Sequence, residues 1–323
     1  MGPYNPNIPK EPLIKVTELT ECQWYRRKPN EVLPWGCMSG MWGDIICYLG
    51  VFRQRIGVGN LIITCFDEDI VRFCAEQPFI KNIIWIKPES KQWYDRMTDA
   101  LCGSPAPYPD PQVEELRQIA GLPKGTNIIK TTWDFQFRES GIVPRWGGAR
   151  VPIKYHEEAL KLLEPLKDVP TILDIEGYPC DTKTYLINPY SINTCNPEDH
   201  WNRWAELIQY LYMLTPHNYV FVGHTIEFDL PDTPRLLNLV NKTSSNMTVF
   251  ALAEHCWGTI TTINSLAHYC KVAGLNQFVF NNKGSYMNRS SFPKFIELDS
   301  TPHVEYDAPF NYALSCVQQF VNI

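Results

Sequence analysis

The sequence predicts an α/β protein made of two doubly wound domains facing a central cleft. Three observations lead there. Short β-branched runs alternate with helical periods of about 10 to 15 residues, the signature of parallel sheets joined by crossover helices. The alternation pauses at "KDVPTILDIEGYPCDTK", rich in proline, glycine and charge, and then starts again. Polar residues gather at the ends of the strand-like runs, where doubly wound sheets bind their ligands.

A chain of 323 residues holds two domains of ordinary size. The expected division is 1–170 and 171–323, with the last helix left free to pack back on the first domain. After a proline-rich lead, "EVLPWGCMSGMWGDIICYLGVFRQRIG" reads as a strand, a glycine-punctuated loop and a helix opening near Asp44. "NLIITCF" is a buried strand, "DEDIVRFCAEQ" a helix with an acidic first turn, and "IKNIIWI" a strand. "SKQWYDRMTDALCG" continues as helix, "GSPAPYPDPQ" as loop, "NIIKTTWDF" as strand and "HEEALKLLEPLKDVP" as helix.

The second half repeats the theme. "TYLINPY" is a strand, followed by a helix over "NPEDHWNRWAELIQYLYML" with Asn196 as cap, Pro197 at its first position, and Trp201, Trp204, Ile208 and Leu211 on one face. "NYVFVGH" is a strand, "TVFALAEHC" a helix and "GTITT" a strand. "SLAHYCKVAG" is a helix capped by Asn264 and stopped at Gly274, and "NQFVFNN" is a last strand.

Composition narrows the function. Net charge is −6, with 20 basic and 20 acidic residues in 1–165 against 9 and 15 in 166–323, so no basic stripe marks a nucleic-acid surface. The 11 cysteines are scattered and odd in number, which fits reduced thiols, and the first residues show no secretory pattern. The expectation is a cytoplasmic protein without membrane spans. No HExxH or close His/Asp cluster is present, and neither metal nor cofactor is expected.

Three strand ends of the second half carry candidate chemistry. "INPYSINTCN" offers Ser191, Asn193 and Thr194, "VFVGHTIEFD" offers Gly223 and Glu227, and "TTINSLAHYC" offers Asn264, Ser265 and His268. A capped helix start with hydroxyl and backbone donors suits a diphosphate, and a carboxylate suits ribose hydroxyls. In the first half, Asp44 follows Trp42 and Gly43, and "VPRWGGAR" carries Arg145 and Arg150 as phosphate-binding candidates. A helix cap after a glycine turn is the local alternative for Asp44.

The order of "WGDIICYLGVFRQ", "LINPYSINTCNPEDHWNRWAELI", "VGHTIE" and "ITTINSLAHYCKVAG" resembles the heptosyltransferase family, the inverting glycosyltransferases of family nine with two Rossmann-like domains in the GT-B fold. The resemblance implies a catalytic base at Asp44, where Gly43-Asp44 matches the family's glycine–aspartate pair. It implies donor binding around "INSLAH", in which Ser265, Ala267 and His268 match, while Ile263 and Asn264 stand where the family has Asp and Thr. Glu227 falls where the family places its ribose carboxylate. The family's lysine against the donor diphosphate has no counterpart before Arg203, which leaves Arg203, Lys183 or the other domain to supply the charge.

The expected activity is metal-independent inverting transfer of a sugar from a nucleotide-sugar donor to a hydroxyl. The acceptor is a saccharide of the lipopolysaccharide-core kind or a hydroxymethylated pyrimidine in viral DNA. A non-catalytic nucleotide-sugar-binding module and a sugar-nucleotide epimerase are the competing readings.

Overall fold

A computed structural model describes residues 15–19, 22–25, 33–102, 110–131, 149–174, 176–190, 201–224, 228–281, 301–305 and 307–322. The chain divides into two compact units, Met1–Gly40 with Phe52–Thr132 and Met41–Val51 with Trp133–Ile323. This division differs from the one drawn at residue 170. The helix at Ile153–Leu163 goes with the second unit, and so does the start of the helix that carries Asp44.

The first unit holds a six-stranded sheet in the order β1-β2-β5-β4-β3-β6, formed by Lys15–Leu19, Cys22–Tyr25, Trp35–Ser39 (β3), Gly59–Thr64 (β4), Ile80–Ile86 (β5) and Ile128–Lys130 (β6). Strands β3 to β6 are parallel. β1 and β2 form an antiparallel hairpin on the edge of β5, an addition unforeseen in the proline-rich lead. Helices α1 (Trp42–Arg55), α2 (Glu68–Glu76), α3 (Lys91–Cys102) and α4 (Pro111–Ile119) follow in chain order.

Local chemistry explains these boundaries. Asp67 caps α2 by accepting from the Asp69 N–H at 2.9 Å, ahead of two acids that suit the helix dipole. Asp110 caps α4 and Pro111 opens it, so the missed helix begins inside the proline-dense stretch expected to be loop. Cys37, Ile62, Ile84 and Ile86 pack against Met97 and Leu101 of α3 and Leu116 of α4. Gly36 must lack a side chain, because a Cβ there would stand 2.7 Å from the Phe52 ring.

In the second unit α5 (Ile153–Leu163) runs into a 3-10 turn, Glu164–Asp168. The stretch expected as linker contains a small hairpin in which Leu173 bridges Pro179 and Asp174 accepts from the Glu176 and Tyr178 N–H groups. A second six-stranded sheet follows, wholly parallel, in the order β12-β11-β10-β7-β8-β9. Its strands are Thr184–Asn188 (β7), Asn218–Phe221 (β8), Leu236–Asn238 (β9), Gly258–Thr262 (β10), Gln277–Phe280 (β11) and His303–Val304 (β12). Counted from β7, this is the 3-2-1-4-5-6 order of dinucleotide-binding sheets, reversing between β7 and β10.

Its helices are α6 (Trp204–Leu214), α7 (Asn246–His255), α8 (Ser265–Ala273) and α9 (Phe310–Asn322). α6 begins seven residues later than Pro197 would place it, and Asn196 and Pro197 lie outside the described residues. The face expected from Trp201, Trp204, Ile208 and Leu211 is nevertheless buried. It meets Tyr185, Ile187, Phe221 and Phe280 from the sheet. The final helix α9 packs Phe310, Val317 and Phe320 into this same core.

Phe280 centres the cluster, its ring 4.7 Å from Trp201 and 4.5 Å from Trp204. Phe280→Ala is expected to lower unfolding stability by about 3–5 kcal/mol in a urea titration followed by tryptophan fluorescence. A loss below about 1 kcal/mol would show that these rings are not a packed core.

Candidate functional site

The second sheet ends in a polar edge. β7 closes on Asn188, β8 leads to Gly223, and β10 closes on Thr262, all at the carboxyl ends of strands beside the reversal of order. Thr261 pairs in register with Asn188. Asn264 fixes the entry to α8, its Oδ1 accepting from the Ala267 N–H at 3.1 Å and its Nδ2 donating to Thr261 Oγ1 at 3.0 Å. The Thr261 hydroxyl donates to the Thr262 carbonyl. With Asn264 occupied in this way, the first-turn N–H groups of Ser265 and Leu266 have no acceptor within the helix, the arrangement that receives anions elsewhere.

Two oxygens at this edge, Asn188 Oδ1 and Thr262 Oγ1, are buried with no hydrogen-bond partner among the described residues. Gly223 has φ +135°, a conformation that side chains disfavour. A Cβ there would come within 3.5 Å of Asn188 Oδ1, so bare backbone faces the unpaired amide oxygen. At the far end of α8, Gly274 takes the left-handed conformation expected of a C-terminal stop.

The first turn of α1, part of the same unit, packs on α8. A Cβ on Gly43 would stand 3.2 Å from Cδ2 of His268, so a methyl group at 43 requires the imidazole to yield. Burial holds His268 neutral, pulling its pKa down to about 3. Trp42 is only 6 % exposed and sets its ring edge-on to Phe250, with centroids 5.4 Å apart. Its indole is therefore committed to packing and is no platform for an acceptor sugar. Asp44 is not the N-cap of α1. It lies three positions inside and half-buried, with Oδ2 accepting the Met41 N–H at 3.1 Å, the reciprocal arm of a capping box. Its charge adds to the burial that raises the Cys47 thiol.

Of the residues singled out from sequence, Gly43, Trp42 and His268 meet in one packed region of the second unit, next in sequence to Asp44, Asn264 and Ser265. Gly223 sits on the same sheet's carboxyl edge. Arg150 lies at the entry to α5, half-buried. Ser191, Asn193, Thr194, Glu227 and Arg145 lie outside the described residues. Lys183 precedes β7 at the opposite, amino end, with Nζ 4.1 Å from the Trp257 ring, so topology removes it from the carboxyl edge. Arg203 stands before α6, paired with Glu206 and 4.3 Å from the Phe310 ring.

Sequence reasoning missed Asn188 and Thr262. Their signal was a polar residue closing an otherwise apolar strand. Among the described residues no group of three or more His, Cys, Asp or Glu is placed to hold a metal ion, and no helix is long and apolar enough to cross a membrane. The described cysteines are free of disulfides.

No protein-family model and no curated protein matches the sequence. Solved structures do. The chain is similar to a glycosyl transferase of family 9 from Veillonella parvula, with 13% identity, TM-score 0.55, and coverage of 88% of this chain and 89% of that one. It is also similar to the ADP-heptose lipopolysaccharide heptosyltransferase II of E. coli, with 11% identity, TM-score 0.52, and coverage of 90% and 99%. The fold is thus of the GT-B kind. The likeness to the heptosyltransferase is one of fold.

The buried imidazole has a measurable consequence. As pH falls below its ordinary 6.5, the unfolded chain binds a proton that folded His268 refuses until about pH 3. Its contribution is intact above 6.5 and is lost through that window, at up to about 1.4 kcal/mol per pH unit. His268→Gln is expected to shallow the fall in unfolding free energy between pH 6.5 and 4.5. An unchanged slope would mean that the ring is solvated.

Proposed function

We propose that the protein is an inverting glycosyltransferase that moves a sugar from a nucleotide-sugar donor to a hydroxyl of a saccharide acceptor. The acceptor hydroxyl gives its proton to Asp44, its oxygen bonds to the anomeric carbon, and the bond from that carbon to the donor phosphate breaks. The nucleotide diphosphate leaves with the electron pair. A carboxylate has capacity for more than the Met41 N–H, so the capping role and the base role are compatible.

The observation that carries this reading is the packing of the Gly43 turn against His268 on α8. The turn bearing the carboxylate thereby belongs to the same unit as a capped helix start suited to phosphate. Gly223, Asn264 and Ser265 supply uncharged donors while buried, neutral His268 seats the Gly43 turn, with Ser191, Asn193 and Thr194 completing the phosphate loop and Glu227 on the ribose hydroxyls. Arg145 and Arg150 are assigned to phosphates. The step involves no change of oxidation state, and we assign it no metal and a cytoplasmic setting.

A second reading, a nucleotide-sugar-binding module without turnover, draws on one fact. Arg203 at the edge is already paired with Glu206, and Lys183 is at the wrong end. Mass spectrometry of products from mixed UDP-, ADP-, GDP- and CMP-sugars, with and without saccharide acceptors, separates the two. Wild type is expected to turn over, and Asp44→Asn, whose amide oxygen still accepts the Met41 N–H, is expected to lose about 10²–10⁴-fold. Turnover unchanged in Asp44→Asn removes the base assignment, and binding without turnover in wild type favours the module. Isomerised donor without acceptor marks an epimerase. Retention of duplex DNA at low salt, with a steep salt dependence, points to a DNA acceptor.

A further inference from the structure

Trp42 is the first of a series of side chains in contact through the second unit. Phe250 is fully buried, and its ring lies parallel to that of Tyr269 with centroids 4.3 Å apart and planes 5° from parallel. Trp42 meets the same Phe250 ring edge-on, so three rings from α1, α7 and α8 are fixed in series. Tyr269 is also fully buried, and its hydroxyl donates to Glu254 Oε1 in a short hydrogen bond. The second oxygen of Glu254 lies 3.8 Å from His156 Nε2 on α5, and His156 Nδ1 is 3.3 Å from His255 Nε2.

A phenol in a core needs a partner for its hydroxyl, and Glu254 is that partner. Removing Glu254 takes that acceptor away, and the polar hydroxyl then draws the ring out of its stack toward another. A ring stacked face to face cannot shift without moving its neighbour. We propose that Glu254 is a positioning residue for the Asp44 turn, acting through the Tyr269, Phe250 and Trp42 rings. The proposal rests on the base role assigned to Asp44 above. Position 254 is part of the reaction's geometry although it faces away from the polar edge.

The test compares Glu254→Ala, which removes the acceptor, with Glu254→Gln, whose amide oxygen still accepts from Tyr269. In the alanine variant kcat is expected to fall about tenfold with the donor KM within about twofold, while the glutamine variant stays within about threefold of wild type. Hydrogen exchange at the amides of residues 41–46 is expected to quicken about tenfold in Glu254→Ala and not in Glu254→Gln. Tyr269→Phe keeps both ring contacts and removes only the hydroxyl. Combined with Glu254→Ala it removes the hydroxyl that lost its acceptor and is expected to bring exchange at 41–46 back within about twofold of wild type, and exchange that stays fast in the double variant overturns the proposal. Equal losses in the alanine and glutamine variants, or unchanged exchange at 41–46 in the alanine variant, overturn the proposal. If wild type turns over no nucleotide sugar, the function proposed for the site fails, and the exchange comparison still decides whether Glu254 holds the turn.

Discussion

The absence of a side chain at Gly43 is the constraint on which the rest of the candidate site depends. Only hydrogen separates the first turn of α1 from the His268 ring, and that approach brings Trp42 onto Phe250 in the same packed region. His268 stays dry because backbone covers it, and dryness keeps it neutral. The Asp44 carboxylate, tied to Met41, is carried on the turn that this approach seats. Packing, protonation and the direction of a helix are therefore set by one close contact.

The second unit carries little charge at its polar edge. Its carboxyl edge presents an amide, hydroxyls and helix N–H groups, while Arg203 is engaged with Glu206. Neutral donors fixed in advance act on developing charge without reorganising, and a dry site strengthens each of them. The Asn264 amide shows how such fixing works. One end holds the helix start and the other is held by Thr261, so it cannot turn away.

Much of this was readable in the sequence because its determinants are local. Gly274 and Asn264 bound α8 by backbone conformation and capping, which depend only on neighbours. The buried strands β4, β5 and β10 announced themselves as apolar or β-branched runs. Where the sequence misled, a local signal met a competing one. Asp110-Pro111 was lost among other prolines, although it is the same cap-and-first-position pair sought at Asn196-Pro197. Trp42 looked available for a sugar because nothing near it in the chain announces Phe250, some two hundred residues away. Likewise, no spacing rule links Glu254 on α7 to Tyr269 on α8 across the intervening strand β10. Contacts that depend on tertiary packing leave no periodic trace.

Successive side chains of a strand face opposite ways. Asn188 shares a face with Thr261, whereas Thr262 shares the other with Ile260. The two oxygens left unpaired among the described residues thus open on opposite sides of the same sheet end, the Asn188 amide oxygen an acceptor only and the Thr262 hydroxyl able to accept or donate. A visitor that brings only hydrocarbon leaves both of them desolvated and uncompensated, and one that brings only oxygen lone pairs satisfies the hydroxyl but not the amide oxygen. One that carries amino or hydroxyl hydrogens answers a need on either side, so this end of the sheet discriminates by the hydrogens a molecule can offer as well as by its charge.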